Sequence, residues 1–235
     1  MSQANRFYFL TSSRIVQSTF AVLLLLSIGG CAVTPPRVDP YATLLPVGAK
    51  LAHGVATFAA SDLKQETAYL VVGANFNTYA EVWNKFQKSV EEGSGNLVYS
   101  KAFLLDGMAQ WSPAKITSLV VTSLQKKFRN VIVVNDLAEA KDKRAKWIVM
   151  FDHAFVQTST LTATWTNSTS IDLLDNNFRR VAATAISEHK DYGGANDEAD
   201  VKRFMGYRGD DILRTVKAAI SQFEGKLSGT SQKPQ

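Results

Sequence analysis

Hydrophobic and polar positions alternate along this chain with two different periods, and the change of period marks out its elements. Between Pro113 and Phe128 the apolar residues Ile116, Leu119, Val120, Leu124 and Phe128 recur at the spacing of one helix face, which predicts a helix. Ser112 and Pro113 supply an N-cap and then a proline at the first helical position, where a missing N–H costs nothing. A second helix is expected from Asp211 to Leu227, with Ile212, Val216, Ala219, Ile220, Phe223 and Leu227 on one stripe. Each stripe needs a sheet or another helix to cover it. From Thr160 to Asp172 the period falls to two: Thr and Ser at even positions, with Asp172, alternate with a set that includes Leu161, Ala163, Trp165 and Ile171. That is a strand with one packed face and one wet face. Asp175-Asn176-Asn177 supplies a turn, after which Val181, Ala183 and Ala185 alternate with Arg180 and Thr184, so the pair reads as an antiparallel hairpin.

Further strands are expected at Asn130 to Asn135, a β-branched run, and at Trp147 to Gln157, whose apolarity on both faces predicts a central position. Two more are expected near Thr67 to Ala74 and Asn96 to Leu105, with a helix from Thr78 to Val90 between them. The order predicts an α+β fold: a mostly antiparallel sheet with helices packed on one face. No internal repeat interrupts residues 47–227, which read as one domain, and residues 228–235 read as a polar, unstructured tail.

The N-terminal segment follows a different logic. Arg6 and Arg14 precede an apolar run from Phe20 to Ile28, with no acidic residue among positions 1–30. A membrane-spanning helix takes about 20 apolar residues, so this shorter run is expected to be a cleaved export signal. Ile28-Gly29-Gly30-Cys31 then resembles the bacterial lipobox. The resemblance implies lipidation of the Cys31 thiol, cleavage before it and a palmitate-bearing membrane anchor. Pro35, Pro36, Pro40 and Pro46 follow, so residues 31–46 read as an extended tether between anchor and domain. Ala32, not Asp, follows Cys31, and in lipoproteins of this kind that implies sorting to the periplasmic face of the outer membrane, with the inner membrane as the alternative. Cys31 is the sole cysteine, so no internal disulfide can form.

With Arg6 and Arg14 taken from the 26 basic residues, 24 stand against 21 acidic ones. The basic residues are dispersed, and the densest group, Lys141, Lys143, Arg144 and Lys146, is interleaved with Asp142 and reads as the solvated face of a short helix. A nucleic-acid footprint needs a clustered basic face with stacking aromatics, so no nucleic-acid partner is expected. The lipobox, tether, helix, long strand, Thr-rich hairpin and closing helix resemble small periplasmic lipoproteins of Gram-negative bacteria. The region from Ser112 onward is most similar to ABC-transport auxiliary lipoproteins and to envelope lipoproteins of helix, meander, helix layout.

Enzyme chemistry finds little footing. Ser112 to Lys115 matches the Ser-x-x-Lys pattern of penicillin-recognising enzymes, but Ser61 to Lys64 and Ser123 to Lys126 match equally, and the Lys-Thr-Gly partner is missing. His53, His153 and His189 show no zinc spacing, and Asp152 and His153 are expected on opposite faces of their strand. No cofactor or metal is implied. Lys190 to Asp210, rich in glycine and acidic residues, reads as a surface loop without the spacing of a calcium loop. These observations favour a noncatalytic interaction or assembly module of an envelope or transport complex; a cell-envelope hydrolase with a site assembled from distant residues is the alternative. The expected contact residues for an envelope protein partner are Thr162, Thr164 and Thr166 on the wet strand face, extended by a partner strand if that strand is a sheet edge, and Phe204 and Tyr207 in the loop.

Overall fold

The computed structural model describes residues 52–53, 63–93, 101–157, 162–194 and 198–228; the leader, Cys31, the tether and the C-terminal tail beyond Ser228 lie outside these. In chain order the elements are β1 (Ala52–His53), β2 (Thr67–Val72), α1 (Ala74–Glu92), α2 (Lys101–Ala109), α3 (Pro113–Gln125), β3 (Asn130–Val134), α4 (Leu137–Asp142), β4 (Trp147–Gln157), β5 (Thr162–Asp175), β6 (Arg179–Gly194) and α5 (Glu198–Leu227). The strands form one sheet in the order β1-β6-β5-β4-β2-β3.

The fold is α+β, but the sheet is mixed where a mostly antiparallel one was expected. β4, β5 and β6 form the antiparallel meander, while β2 runs parallel to both β3 and β4, and β1 parallel to β6. The reason lies in the connections. β2 reaches β3 through α1, α2 and α3, and β3 reaches β4 through α4; helical crossovers return the chain in the same direction, whereas a tight turn reverses it. The Asp175 turn does reverse it: the Asp175 carboxylate accepts from the N–H groups of Asn177 and Arg179, both at 2.9 Å.

β4 is central, flanked by β2 and β5, and its apolar faces serve two cores. Val149 and Phe151 join Leu70, Ile171 and Leu173 under α1, α3 and α5, where Phe76, Ile116, Val120, Val216 and Phe223 are buried. Ile148 and Met150 face the other way, with Val71, Val134 and Leu174, beneath Leu137 and Ala140 of α4. Helices therefore cover both faces, although only one short helix covers the second. Beyond α4, Lys143 and Lys146 stay exposed, pairing with Glu139 and Glu66 as a solvated face does.

Two element assignments change as well. Lys101 to Leu105 belongs to helix α2 instead of the strand expected at Asn96 to Leu105, whose first residues lie outside the described ones. Leu104 and Met108, one turn apart, are both buried, and a short apolar run such as Phe103-Leu104-Leu105 fits a buried helix as well as a strand. The surface loop expected at Lys190 to Asp210 is mostly ordered structure: β6 extends to Gly194 and α5 begins at Glu198, thirteen residues before the expected start.

Capping fixes how the helices leave the sheet. Ser112 Oγ accepts from the Lys115 N–H at 3.3 Å, the expected N-cap of α3. α1 starts at Gly73, which has no side chain to cap with. Asp152 of β4 does this instead, its carboxylate accepting from the Phe76 N–H at 3.0 Å and from Asn75 Nδ2 at 2.6 Å. Any Cβ at Gly73 would fall 2.4 Å from Asp152 Oδ1, so the glycine is what lets that carboxylate reach the helix N-terminus.

Candidate functional site

At the far end of the hairpin, α5 crosses β5 and β6, and a chain of polar and aromatic groups runs from the core to the surface. Trp165 of β5 is fully buried. Its Nε1 donates to Asp211 Oδ2 at 3.0 Å, and the Tyr192 hydroxyl of β6 donates to the same oxygen at 2.9 Å. Arg214 donates to the other Asp211 oxygen and, at 3.0 and 3.3 Å, to Glu188 of β6. One carboxylate, only 1% exposed, thus ties both hairpin strands to the helix. Burial, then the hydrogen bond to Asp211 and its charge, push the Tyr192 hydroxyl above its ordinary pKa.

From Trp165 the aromatic contacts lead outward. The Tyr192 ring lies 5.2 Å from Trp165 and stacks on Tyr207 at 4.8 Å, with Phe204 6.4 Å away. Tyr207 ends the series, 38% exposed. Inward, the Arg208 guanidinium lies 5.2 Å from the Phe155 ring and 5.7 Å from Trp165, and donates to Gln157 Oε1 at 3.0 Å. Burial lowers its pKa to about 10, which leaves it cationic at neutral pH, where the aromatic faces stabilise it.

Deeper still, His153 of β4 and Tyr79 of α1 meet edge to face at 5.4 Å. Tyr79 donates its hydroxyl to the Trp111 carbonyl at 2.5 Å. His153 Nδ1 lies 2.9 Å from Thr169 Oγ1, and its Nε2 has no hydrogen-bond partner among the described residues. Complete burial pushes the imidazole down to about 3 and the Tyr79 phenol well above its ordinary value, so both are neutral. As expected, Asp152 and His153 face opposite sides: one caps α1, the other lies in the main core. His153 is thus neutral and fully enclosed, with its Nδ1 engaged by Thr169.

The residues singled out from sequence divide between two faces of the sheet. Phe204 and Tyr207 stand on α5 in the aromatic series. Thr164 and Thr166 lie on the face turned away from α5, where their hydroxyls meet Asp191 Oδ1 and His189 Nδ1, each at 3.0 Å. Ser168 and Ser187 continue that row at 2.9 Å. Thr162 pairs with Gly194 through the backbone. The proposed strand addition at this position is closed, because β5 is interior and bonded to β4 on one side and β6 on the other. Ser112 is a cap, Ser123 donates to Glu224 at 2.6 Å, and Ser61 lies outside the described residues. Asp200, one of the acidic residues between Lys190 and Asp210, is ion-paired with Arg203. Sequence reasoning passed over Tyr192, Arg208, Asp211 and Arg214. Their signal was a lone tryptophan within a Thr/Ser strand and the Arg208, Asp211, Arg214 spacing of three, one face of a helix.

Among the described residues no helix is long and apolar enough to cross a membrane. No known protein family matches the chain, and no curated protein matches it. Among solved structures it is similar to a variant PelC dodecamer from Paraburkholderia phytofirmans, with 12% identity, 70% of this chain and 94% of that one covered, and a TM-score of 0.31. It is similar to a hypothetical protein from Chlamydia trachomatis at 11% identity, 71% and 99% covered, TM-score 0.28. Lipoprotein GNA1162 from Neisseria meningitidis matches at 14% identity, 65% and 99% covered, TM-score 0.22. Likenesses of this size assign the chain to no family and carry no function to it.

Proposed function

We propose that this chain is a bacterial envelope lipoprotein, anchored through lipidated Cys31 on the periplasmic face of the outer membrane. Its domain acts as a noncatalytic binding module of an envelope or transport complex. The ordered leader and the Ile28-Gly29-Gly30-Cys31 sequence support the anchor. The observation that supports the binding role is Tyr207, exposed at the end of an aromatic series whose inner members are fixed by Asp211. A large, rigid aromatic side chain held in place before contact loses little entropy on binding, which is the character of an interface anchor. The hydrolase reading would draw on His153, Tyr79 and Arg208, but all three are turned inward, with His153 Nδ1 beside Thr169, Tyr79 donating to the Trp111 carbonyl and Arg208 to Gln157.

The test is photo-crosslinking in intact cells from position 207, with position 166 on the opposite sheet face in parallel. Capture of one defined envelope protein from 207, lost on addition of a Phe204→Ala change that leaves the thermal midpoint nearly unchanged, is the expected result. Cys31→Ser should abolish palmitate incorporation and release the protein from the membrane fraction. Absence of capture from both positions, together with hydrolysis of peptidoglycan or lipid by the purified chain, would replace the binding reading with the enzyme one.

A further inference from the structure

β3 closes one side of the sheet, far from the Tyr207 surface. β2 pairs with one flank, and among the described residues no strand pairs with the other. Its sequence, Asn130-Val131-Ile132-Val133-Val134, is β-branched after the first residue and carries no lysine, proline or glycine, the residues that ordinarily blunt an exposed edge. Val131 packs against the main core and Val134 is buried in the second. The two residues between them are not covered: Ile132 is 39% exposed and Val133 52%, and alternation along the strand puts them on opposite faces.

We propose that a second copy of this chain covers this edge, the two β3 strands pairing antiparallel about a two-fold axis through Ile132. Backbone direction sets the register. The Arg129 N–H donates to Glu66 O on the β2 side at 2.9 Å, so by alternation Val131 and Val133 also turn their backbone groups toward β2. Asn130, Ile132 and Val134 turn theirs outward. A two-fold axis perpendicular to the sheet keeps each face continuous, so paired residues share a face. Centred on Ile132, the pairing joins Ile132 to Ile132 and Asn130 to Val134 of the second copy, which satisfies every outward N–H and C=O. The same register lays Val133 over Val131 of the other copy, so both exposed side chains are covered at once. Charge selects the same direction. Lys127 and Arg129 precede the strand and Asp136 follows it, whereas Lys126 is paired with Glu224 and Glu139 with Lys143 within the chain. Antiparallel pairing brings the basic entry of each copy beside the acidic exit of the other, at both ends; parallel pairing would set like beside like.

Two measurements on the full-length chain test this. In mild detergent, light scattering should give twice the chain mass, halved by Ile132→Lys with the far-ultraviolet circular dichroism unchanged. In oxidised cells Ile132→Cys should give a 132–132 disulfide, identified in the linked peptides by mass spectrometry. Val133→Cys alone should not, because its two copies would stand about 8 Å apart by strand rise and spacing, beyond the roughly 7 Å a disulfide spans. If Ile132→Lys fails to fold, the cysteine pair decides alone. A monomeric wild-type chain, or an assembly of any size in which 132–132 does not form, would overturn the proposal.

Discussion

At the scale of single residues, His153 shows how far enclosure alone can move a side chain's chemistry. Its ordinary pKa of 6.5 falls to about 3 in the folded chain, the cause being burial. Between those values the unfolded chain binds a proton that the folded chain refuses. The stability contributed by neutral His153 is therefore fully present above pH 6.5 and is lost as pH falls toward 3. From pH 7 to pH 5 this one group should lower the unfolding free energy by roughly 2 kcal/mol, at about 1.4 kcal/mol per unit below its unfolded pKa. His153→Gln, which keeps a polar side chain beside Thr169 without titrating, should lose that part of the acid sensitivity. Urea unfolding of both chains at pH 7 and pH 5 measures it. Asp175 contributes equally to both, its carboxyl held below the usual range because hydrogen bonds from Arg179 and Asn177 outweigh burial. Identical acid dependence of the two chains would show that His153 is not the group responsible. Sequence placed this histidine correctly within β4 and opposite to Asp152. It could not place Tyr79 and Thr169 around it, because those come from elements joined only by tertiary packing.

At the scale of elements, α5 shows where periodicity stops being informative. Its second half was legible because Ile212, Val216, Ala219, Phe223 and Leu227 all face one core, and each is buried. Its first half was not, because Gly206 and Gly209 read as loop residues and the side chains there are aromatic and charged. Gly209 has a packing reason to be in a helix. A Cβ at that position would lie 2.7 Å from Trp111 Cδ1, and Trp111 is 9% exposed with its carbonyl held by Tyr79. Gly206 faces open space. Replacing glycine by alanine inside a helix ordinarily stabilises by about 0.5–1 kcal/mol, and Gly206→Ala should do so. Gly209→Ala should do the opposite, destabilising by about 1–3 kcal/mol through overpacking against Trp111. Thermal midpoints of the two variants, one raised and one lowered, check the contrast; two rises would mean that Trp111 yields freely.

At the scale of the whole molecule, the meander was legible and the parallel half was not, for a physical reason. The hairpin is announced by period two on either side of a turn, whereas the pairing of β2 with β3 and β4 depends on helical crossovers whose lengths say nothing of strand order. The resulting sheet is unevenly supported. β4 is bonded on both flanks along Trp147 to Phe151, whereas among the described residues its pairing with β5 runs only as far as Gln157 and Trp165, so the open end of the β5–β6 hairpin leans on α5. The tie is Asp211, which accepts from Trp165 and Tyr192 and holds Arg214 against Glu188. Asp211→Asn keeps the shape but removes the charge and weakens those acceptor contacts. Hydrogen bonds to a charged group contribute about 1.5–3 kcal/mol each, and 1.4 kcal/mol is a tenfold change in an opening equilibrium. Amide exchange at Thr164 to Thr166 and at Lys190 to Tyr192 should therefore accelerate at least about tenfold in the variant. The amides of Ile148 to Phe151 should change only as far as global stability does, since they open only when the whole sheet opens. Equal acceleration at both places would mean that the hairpin end and the central strands unfold as one unit, and that Asp211 stabilises the domain at large instead of fastening the surface on which Tyr207 stands.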